Sequence, residues 1–363
     1  MSTGRTHSSD SDQRSQYLTR RGLLGAVTAG AAGLVAGCTG DATTSTTTTS
    51  SSGKSELSFT SGPSNSLAFG MGNALAAVVQ DNSELTVNIK SGTSGQSIAL
   101  VGRGETDISF GTTLVGTRAK NRTGLFSDVE FSQTLLQLPS FYFMKLGAFV
   151  DAASDVEYFG DLAGKSLGPG PSGASYWDVW EVALKKALNI EDLQVENSGV
   201  GQLSDILSSG QATAVGGPIL SNNVTPGFMQ QVLSQNSVRM LSYRDETLEA
   251  IGGDSKTPLA ELKKDTVKNI DEFTAQGDTA PTVSANYVLW TSDAVPIETI
   301  YTLLKTSWEN TTALSNTHSA FEVWTAKDWY MRNMTPEVPV HPGAAKFLKE
   351  LGVWSDEYTV GSV

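Results

Sequence analysis

The feature that most constrains this chain is a repeated switch between two hydrophobic periods. Leu57 and Phe59 alternate with Ser58 and Thr60, the period of a half-buried strand. The turn Gly62-Pro63-Ser64-Asn65-Ser66 follows. Beyond it Ala74, Leu75, Val78 and Val79 fall on one helical face. Leu85, Val87 and Ile89 then alternate with polar residues again. A second Gly/Ser loop, 91–95, opens a helix carrying Ile98 and Val101, which ends at Arg103-Gly104-Glu105-Thr106. Asp107-Ile108-Ser109-Phe110 reads as a third strand. The order βαβαβ implies a parallel sheet, since a parallel pair needs a crossover long enough to hold a helix.

The switch recurs further on. Gly164-Lys165-Ser166-Leu167 reads as a strand, and the loop Gly168 to Ser175 leads into a helix with Trp177, Trp180, Leu184 and Leu188 on one face. Ser175 and Asp178 have the spacing of a capping box. A strand at 193–195, a helix around Leu203, Ile206 and Leu207 ended by Gly210, and a strand at 212–215 follow. Thr225-Pro226 reads as N-cap and first residue of a helix through Leu233. Tyr287 to Trp290 is strand-like, and Pro296 and His341-Pro342 open two further helices. The fold class expected is α/β, as two lobes joined by a hinge: 56–150 forms the first part of lobe 1, 151–283 forms lobe 2, and 284–363 returns to lobe 1.

The N-terminus reads as an address. Thr19-Arg20-Arg21-Gly22-Leu23-Leu24 precedes an apolar Gly/Ala-rich run, which is shorter than the roughly 20 residues a membrane-spanning helix needs. Charged, apolar and small residues in that order mark a secretory signal, here over 1–37, and the paired arginines resemble a twin-arginine signal. The run ends in Val35-Ala36-Gly37-Cys38, which resembles a lipobox, and Cys38 is the only cysteine of the 363 residues. Cys38 is therefore expected to carry lipid and to anchor the chain to a membrane. The Ser/Thr-rich stretch 38–55 has nothing large enough to pack and reads as a flexible tether.

Composition excludes several functions. One cysteine forms no intramolecular disulfide. Three histidines, at 7, 318 and 341, offer little to a metal site or a Ser-His-Asp triad, and none is placed for either. The net charge is −13. Removing 1–37 takes away four Arg and two Asp, leaving 21 basic against 36 acidic residues, net −15. No basic block offers itself to nucleic-acid phosphates. A Lys-poor acidic surface is that expected of a protein working in high salt. There long-range repulsion of an anion is screened within about 3 Å at 1 M.

What chemistry there is lies in helix-opening loops. Loops 62–66, 91–94 and 168–175 each follow a strand, open a helix and carry Gly with Ser or Thr. Free backbone N–H groups and the helix dipole favour an anion at such places. No phosphate-loop or dinucleotide fingerprint is present, Pro171 removes a donor where a pyrophosphate loop needs one, and no Ser stands in G-x-S-x-G. No catalytic residue, metal or cofactor is expected.

These motifs together resemble the TAXI family, the solute-binding subunits of one branch of TRAP transporters, over about Leu57 to Trp354. The resemblance is carried by Gly62 to Phe69 with Gly72-Asn73-Ala74-Leu75-Ala76, by Gly92-Thr93-Ser94 with Arg103 to Asp107, by Asp161-Leu162-Ala163-Gly164-Lys165 with Pro171 to Ala174, and by Pro339-Val340-His341-Pro342-Gly343-Ala344. Departures are Ser66-Leu67 before the aromatic, Ser97 where Asn is common, Ala174 in place of a Thr, and Thr213 in place of an Asp. The resemblance implies a periplasmic-binding-protein-like (type II) fold and an extracytoplasmic receptor. Such a receptor closes on a small organic anion, a dicarboxylate or glutamate-like acid, and delivers it to a TRAP-type permease. By position it implies ligand contacts at Ser64, Asn65, Ser66, Phe69, Thr93 and Ser94 in lobe 1, and Ser172, Ala174 and Ser175 in lobe 2. Gly217, Pro218 and Thr282 would lie near the cleft and hinge. A receptor for an ABC-type permease and a secreted enzyme are the competing readings of the same fold.

Overall fold

Strand β1 (Glu56–Ser61) is the first described element and pairs in parallel with both β2 (Thr86–Ser91) and β3 (Ile108–Thr112). The structure is a computed structural model and describes residues 54–222, 224–253, 257–267, 270, 273 and 277–363. The signal sequence, the Cys38 lipid site and the tether through 53 lie outside the described residues. Helix α1 (Leu67–Asn82) crosses from β1 to β2 and α2 (Ser94–Gly102) from there to β3. Helix α3 (Thr113–Asn121) starts directly at the end of β3. Thr112 makes this possible, because its hydroxyl accepts from the Val115 N–H and satisfies one free donor of the new helix.

A long strand, β4 (Leu135–Asp151), then leaves this first half. The second half repeats the pattern. Here β5 (Ser166–Gly170) pairs in parallel with β6 (Gln194–Asn197) and β7 (Ala214–Ser221), and α4 (Ser175–Ala187) and α5 (Leu203–Ser208) lie between them in sequence. After α6 (Gly227–Gln235), β8 (Val238–Met240), α7 (Asp245–Gly252) and β9 (Leu259–Lys263), β10 (Thr279–Ser292) runs back antiparallel to β4, residues 283–292 pairing with 135–146. The chain finishes on α8 (Ile297–Glu309), α9 (Thr311–Thr317), α10 (Trp329–Arg332) and α11 (Pro342–Leu351).

Among the described residues the ten strands form one sheet. The order β2-β1-β3-β10-β4-β7-β5-β6 carries two parallel ends joined by the antiparallel β10–β4 pair. This is the two-lobed α/β architecture expected, with one refinement. The lobes share a continuous curled sheet, and the two joining strands are its longest members. Their alternation sorts side chains to two faces. Tyr142 and Tyr287 stand opposite each other in register, while the flanking pairs Phe143↔Asn286 and Lys145↔Ser284 point the other way. A large buried cluster fills the first half and extends along α4. A second cluster, including Phe149, Val215, Ile219, Met229 and Met240, fills the other side of β4 and β7.

Two local readings are corrected. Ala174, not Ser175, is the N-cap of α4 and offers no side-chain bond, so Ser175-x-x-Asp178 is not a capping box. The Asp178 carboxylate instead pairs with Arg118 of α3. The helix expected from Pro226 begins one residue later, with Pro226 as N-cap.

Candidate functional site

Three helix N-termini meet where the two halves touch. Helix α2 brings Thr93 at its cap and Ser94 as first residue, α3 brings Thr112, and α4 brings Ser175. The Ser175 N–H donates to Ser94 Oγ at 2.9 Å, across the two halves of the chain. Thr112 Oγ1 makes a longer bond of 3.4 Å to the Ser175 carbonyl. Gly95 sits so close that a Cβ there would stand 3.4 Å from the Gly173 carbonyl oxygen. Around these contacts unused donors remain. Thr93 Oγ1 and Ser175 Oγ are buried and have no hydrogen-bond partner, although such groups are normally satisfied.

Aromatic rings form the floor. Tyr142 and Tyr287, facing each other on the joining strands, stack at 4.5 Å between ring centroids, and Phe110 stacks on Tyr287 at 5.7 Å. Burial, reinforced for Tyr142 and Tyr176 by charge repulsion from Tyr287, holds these phenols above their ordinary range. For Tyr287, burial again dominates, partly offset by its close approach to Ser175, Ser94 and the Tyr176 backbone. The phenols are therefore neutral at pH 7 and present O–H groups rather than charge. Tyr176 Oη donates to the Pro169 carbonyl at 2.6 Å, fixing the strand end before the α4 loop.

Arg118 and Asp178 form an ion pair at the edge of this junction, between α3 and α4. Burial raises the Asp178 carboxyl against the opposing pull of Arg118. Replacing Arg118 with Met therefore leaves a partly buried carboxylate unpaired. We expect stability at pH 7 to fall by roughly 1–3 kcal/mol. The gap between variant and parent should close as pH is lowered and Asp178 takes up its proton, since a protonated carboxyl no longer needs the cation. Urea unfolding at several pH values reads this directly. A loss of equal size at every pH would assign the effect to packing of the Arg118 stem instead.

Of the residues the sequence singled out, Thr93, Ser94 and Ser175 come together at this junction. Ser172 is exposed on the turn before α4, and Ala174 is half-buried and brings no hydroxyl. Ser64 and Asn65 are exposed, Ser66 Oγ caps α1 by accepting from the Phe69 N–H at 3.2 Å, and Phe69 is half-buried in the first turn. That loop lies beside the α2 loop, with the Gly92 N–H on the Gly62 carbonyl at 3.4 Å. Gly217 and Pro218 are buried on β7, and a Cβ on Gly217 would stand 3.4 Å from Tyr176 Oη. The Thr282 hydroxyl donates to the Leu146 carbonyl inside the sheet and does not join the hydroxyl group. Sequence reasoning missed Thr112, the three tyrosines and the Arg118–Asp178 pair. A signal for Thr112 was available: Gly111-Thr112-Thr113 follows a strand and opens a helix, like the other loops.

The model of the NMT1-like family matches residues 59–352. A comparison with curated proteins found no match. Among solved structures the chain is similar to an ancestral arginine-binding protein bound to arginine, at 15% identity and a TM-score of 0.46 over 75% of this chain and 99% of that one. It is similar to the substrate binding protein of an amino acid ABC transporter at 12% identity and 0.45, covering 74% and 99%. It is also similar to the periplasmic aliphatic sulphonate binding protein SsuA from Escherichia coli at 11% identity and 0.43, covering 82% and 85%.

Proposed function

Because the chain belongs to the NMT1-like family, we propose that it is an extracytoplasmic solute-binding receptor that holds a small organic anion at the junction of its two halves. One observation carries this reading. Helix N-termini from both halves converge with hydroxyls that have no protein partner, Thr93 Oγ1 and Ser175 Oγ, beside the neutral Tyr287 phenol. Free N–H groups, a helix dipole and orphaned hydroxyls together suit the oxygens of a carboxylate. Rings at Phe110, Tyr142 and Tyr287 suit the carbon part of the same molecule. Moving the halves apart along β4 and β10 would admit the ligand between Ser94 and Ser175.

The ligand class within this reading is a dicarboxylate or glutamate-like acid, and the recipient is a TRAP-type permease. Anchoring through lipid on Cys38 and work in high salt complete it, as the sequence motifs and acidity suggest. The test is calorimetric titration of the chain with glutamate, 2-oxoglutarate, alkanesulfonates and arginine. One of the acids should bind, and the double variant Ser94→Ala, Ser175→Ala should weaken it roughly tenfold or more, through two lost hydrogen bonds. Binding of arginine alone, or of none, would reject the anion class.

A further inference from the structure

A groove lies on the opposite face of the joining strands. It has a volume of about 530 Å³. Its floor is the face of β4 and β10 that carries Phe143, Lys145, Ser284 and Asn286, turned away from Tyr142 and Tyr287 by strand alternation. One wall comes from β9 and the turn after it, the other from α10 and Asn333. The groove therefore spans the two halves from behind.

Its charge runs against that of the chain. Among the described lining residues Lys145, Lys263 and Arg332 stand against one carboxylate, Glu261, which pairs with Lys263 at 3.7 Å, while the whole chain carries −13. Burial holds the Lys145 ammonium below its usual range, Glu261 opposes this, and Arg332 and Lys263 add to it by repulsion. Lys145 donates to a backbone carbonyl, that of Glu261, at 2.8 Å. The wall also holds donors in want of an acceptor. Trp329 Nε1 and Asn333 Nδ2 are buried and unpartnered, in residues only 3% and 4% exposed. Clustered cations favour a bound acceptor with negative charge. Phe143 packs on Trp329 at 5.7 Å and gives the groove an apolar patch as well.

We infer that this groove is a second anion site, for a small multivalent organic anion that bridges Lys263 on β9 to Arg332 on α10 across Lys145 of the joining strand β4. It is separate from the Ser94–Ser175 junction and does not depend on what that junction binds.

Citrate, with acetate as a monovalent control at matched ionic strength, is the probe. Calorimetry and thermal unfolding of the chain should show citrate binding and a rise in Tm that acetate does not give. Lys263 is exposed, so Lys263→Glu reverses one charge without threatening the fold, and Arg332→Gln removes another. Each should weaken citrate about tenfold or more. The Ser94→Ala, Ser175→Ala double variant should leave citrate affinity unchanged. Absence of citrate binding, an equal response to acetate, insensitivity to both charge variants, or loss in the serine double variant would each overturn the assignment, the last by moving citrate to the front junction.

Discussion

Gly216→Ala should cost roughly 3 kcal/mol or more of stability, although it adds a single methyl group. At Gly216 a Cβ would fall 2.2 Å from the Gly147 carbonyl oxygen, 2.7 Å from Ala148 Cα and 2.8 Å from Ala148 Cβ. Two of these neighbours are backbone of β4, which cannot rotate aside as a side chain would. Relief requires β7 to lift from β4, and the Gly147↔Gly217 and Ala148↔Gly216 pairs lie at that point of the ladder. For a domain of this size the loss corresponds to a fall in Tm on the order of 5–10 °C. The next residue is constrained for a different reason. Gly217 has φ 133°, in a region L side chains rarely adopt, and a Cβ there would also stand 3.3 Å from the Pro169 carbonyl oxygen. Gly217→Ala should therefore destabilise too, and should in addition shift Tyr176 and the strand end that leads to Ser175. Thermal unfolding of both variants is the check. A Gly216→Ala protein with parental Tm would mean the strands do not approach as described.

These glycines show where sequence reading stops. The sequence points to Gly217-Pro218 as residues expected near the cleft, but the need for glycine at 216 comes from strand β4 pressing on it and at 217 from its positive φ, which no local pattern reveals. The same limit hid β4 itself. Leu135 to Asp151 is buried on both faces along most of its length, so it lacks the alternation by which Leu57 and Phe59, or Leu85 and Val87, announce themselves. By contrast the βαβ crossovers were legible, because each helix there carries one apolar face and each strand is bounded by Gly/Ser loops. The site was legible in half. Thr93, Ser94 and Ser175 stand out because a hydroxyl beside Gly at a strand-to-helix turn has a local signature. Tyr142, Tyr176 and Tyr287 do not, since in sequence they are ordinary aromatic strand or helix residues and only register places two of them opposite each other. The Asp178 capping-box reading failed for a related reason. The spacing is right, but an arginine sixty residues earlier competes for the carboxylate.

His341 provides the clearest pH dependence. It is fully buried at the start of α11, where Nδ1 accepts from the Gly343 N–H at 3.1 Å and Nε2 faces the Val295 carbonyl at 2.8 Å. A carbonyl only accepts, so Nε2 carries the proton and the lone pair of Nδ1 makes the cap. Protonating Nδ1 would set N–H against N–H at the positive end of a helix. Burial accordingly holds this imidazole below its usual range, with the Val295 carbonyl opposing the shift, and burial lowers His318 as well. The sign follows from proton counts. The unfolded imidazole takes up a proton near pH 6.5, the folded one only at lower pH, so between these values the unfolded state binds more protons. Stability should be full above about pH 7 and should fall as pH drops below about 6.5, by up to roughly 1.4 kcal/mol per pH unit for buried His341 and by less for the half-buried, better-solvated His318. His341→Asn keeps a capping oxygen but cannot titrate, so it should lower stability at pH 7.5 while removing one histidine's share of the acid slope. His341→Leu also leaves the Gly343 N–H and the Val295 carbonyl without partners and should cost about 3 kcal/mol at neutral pH. Urea unfolding from pH 5 to 8 on the parent and both variants separates the cap from the charge. An unchanged slope in His341→Asn would place the acid sensitivity on other groups, His318 first among them.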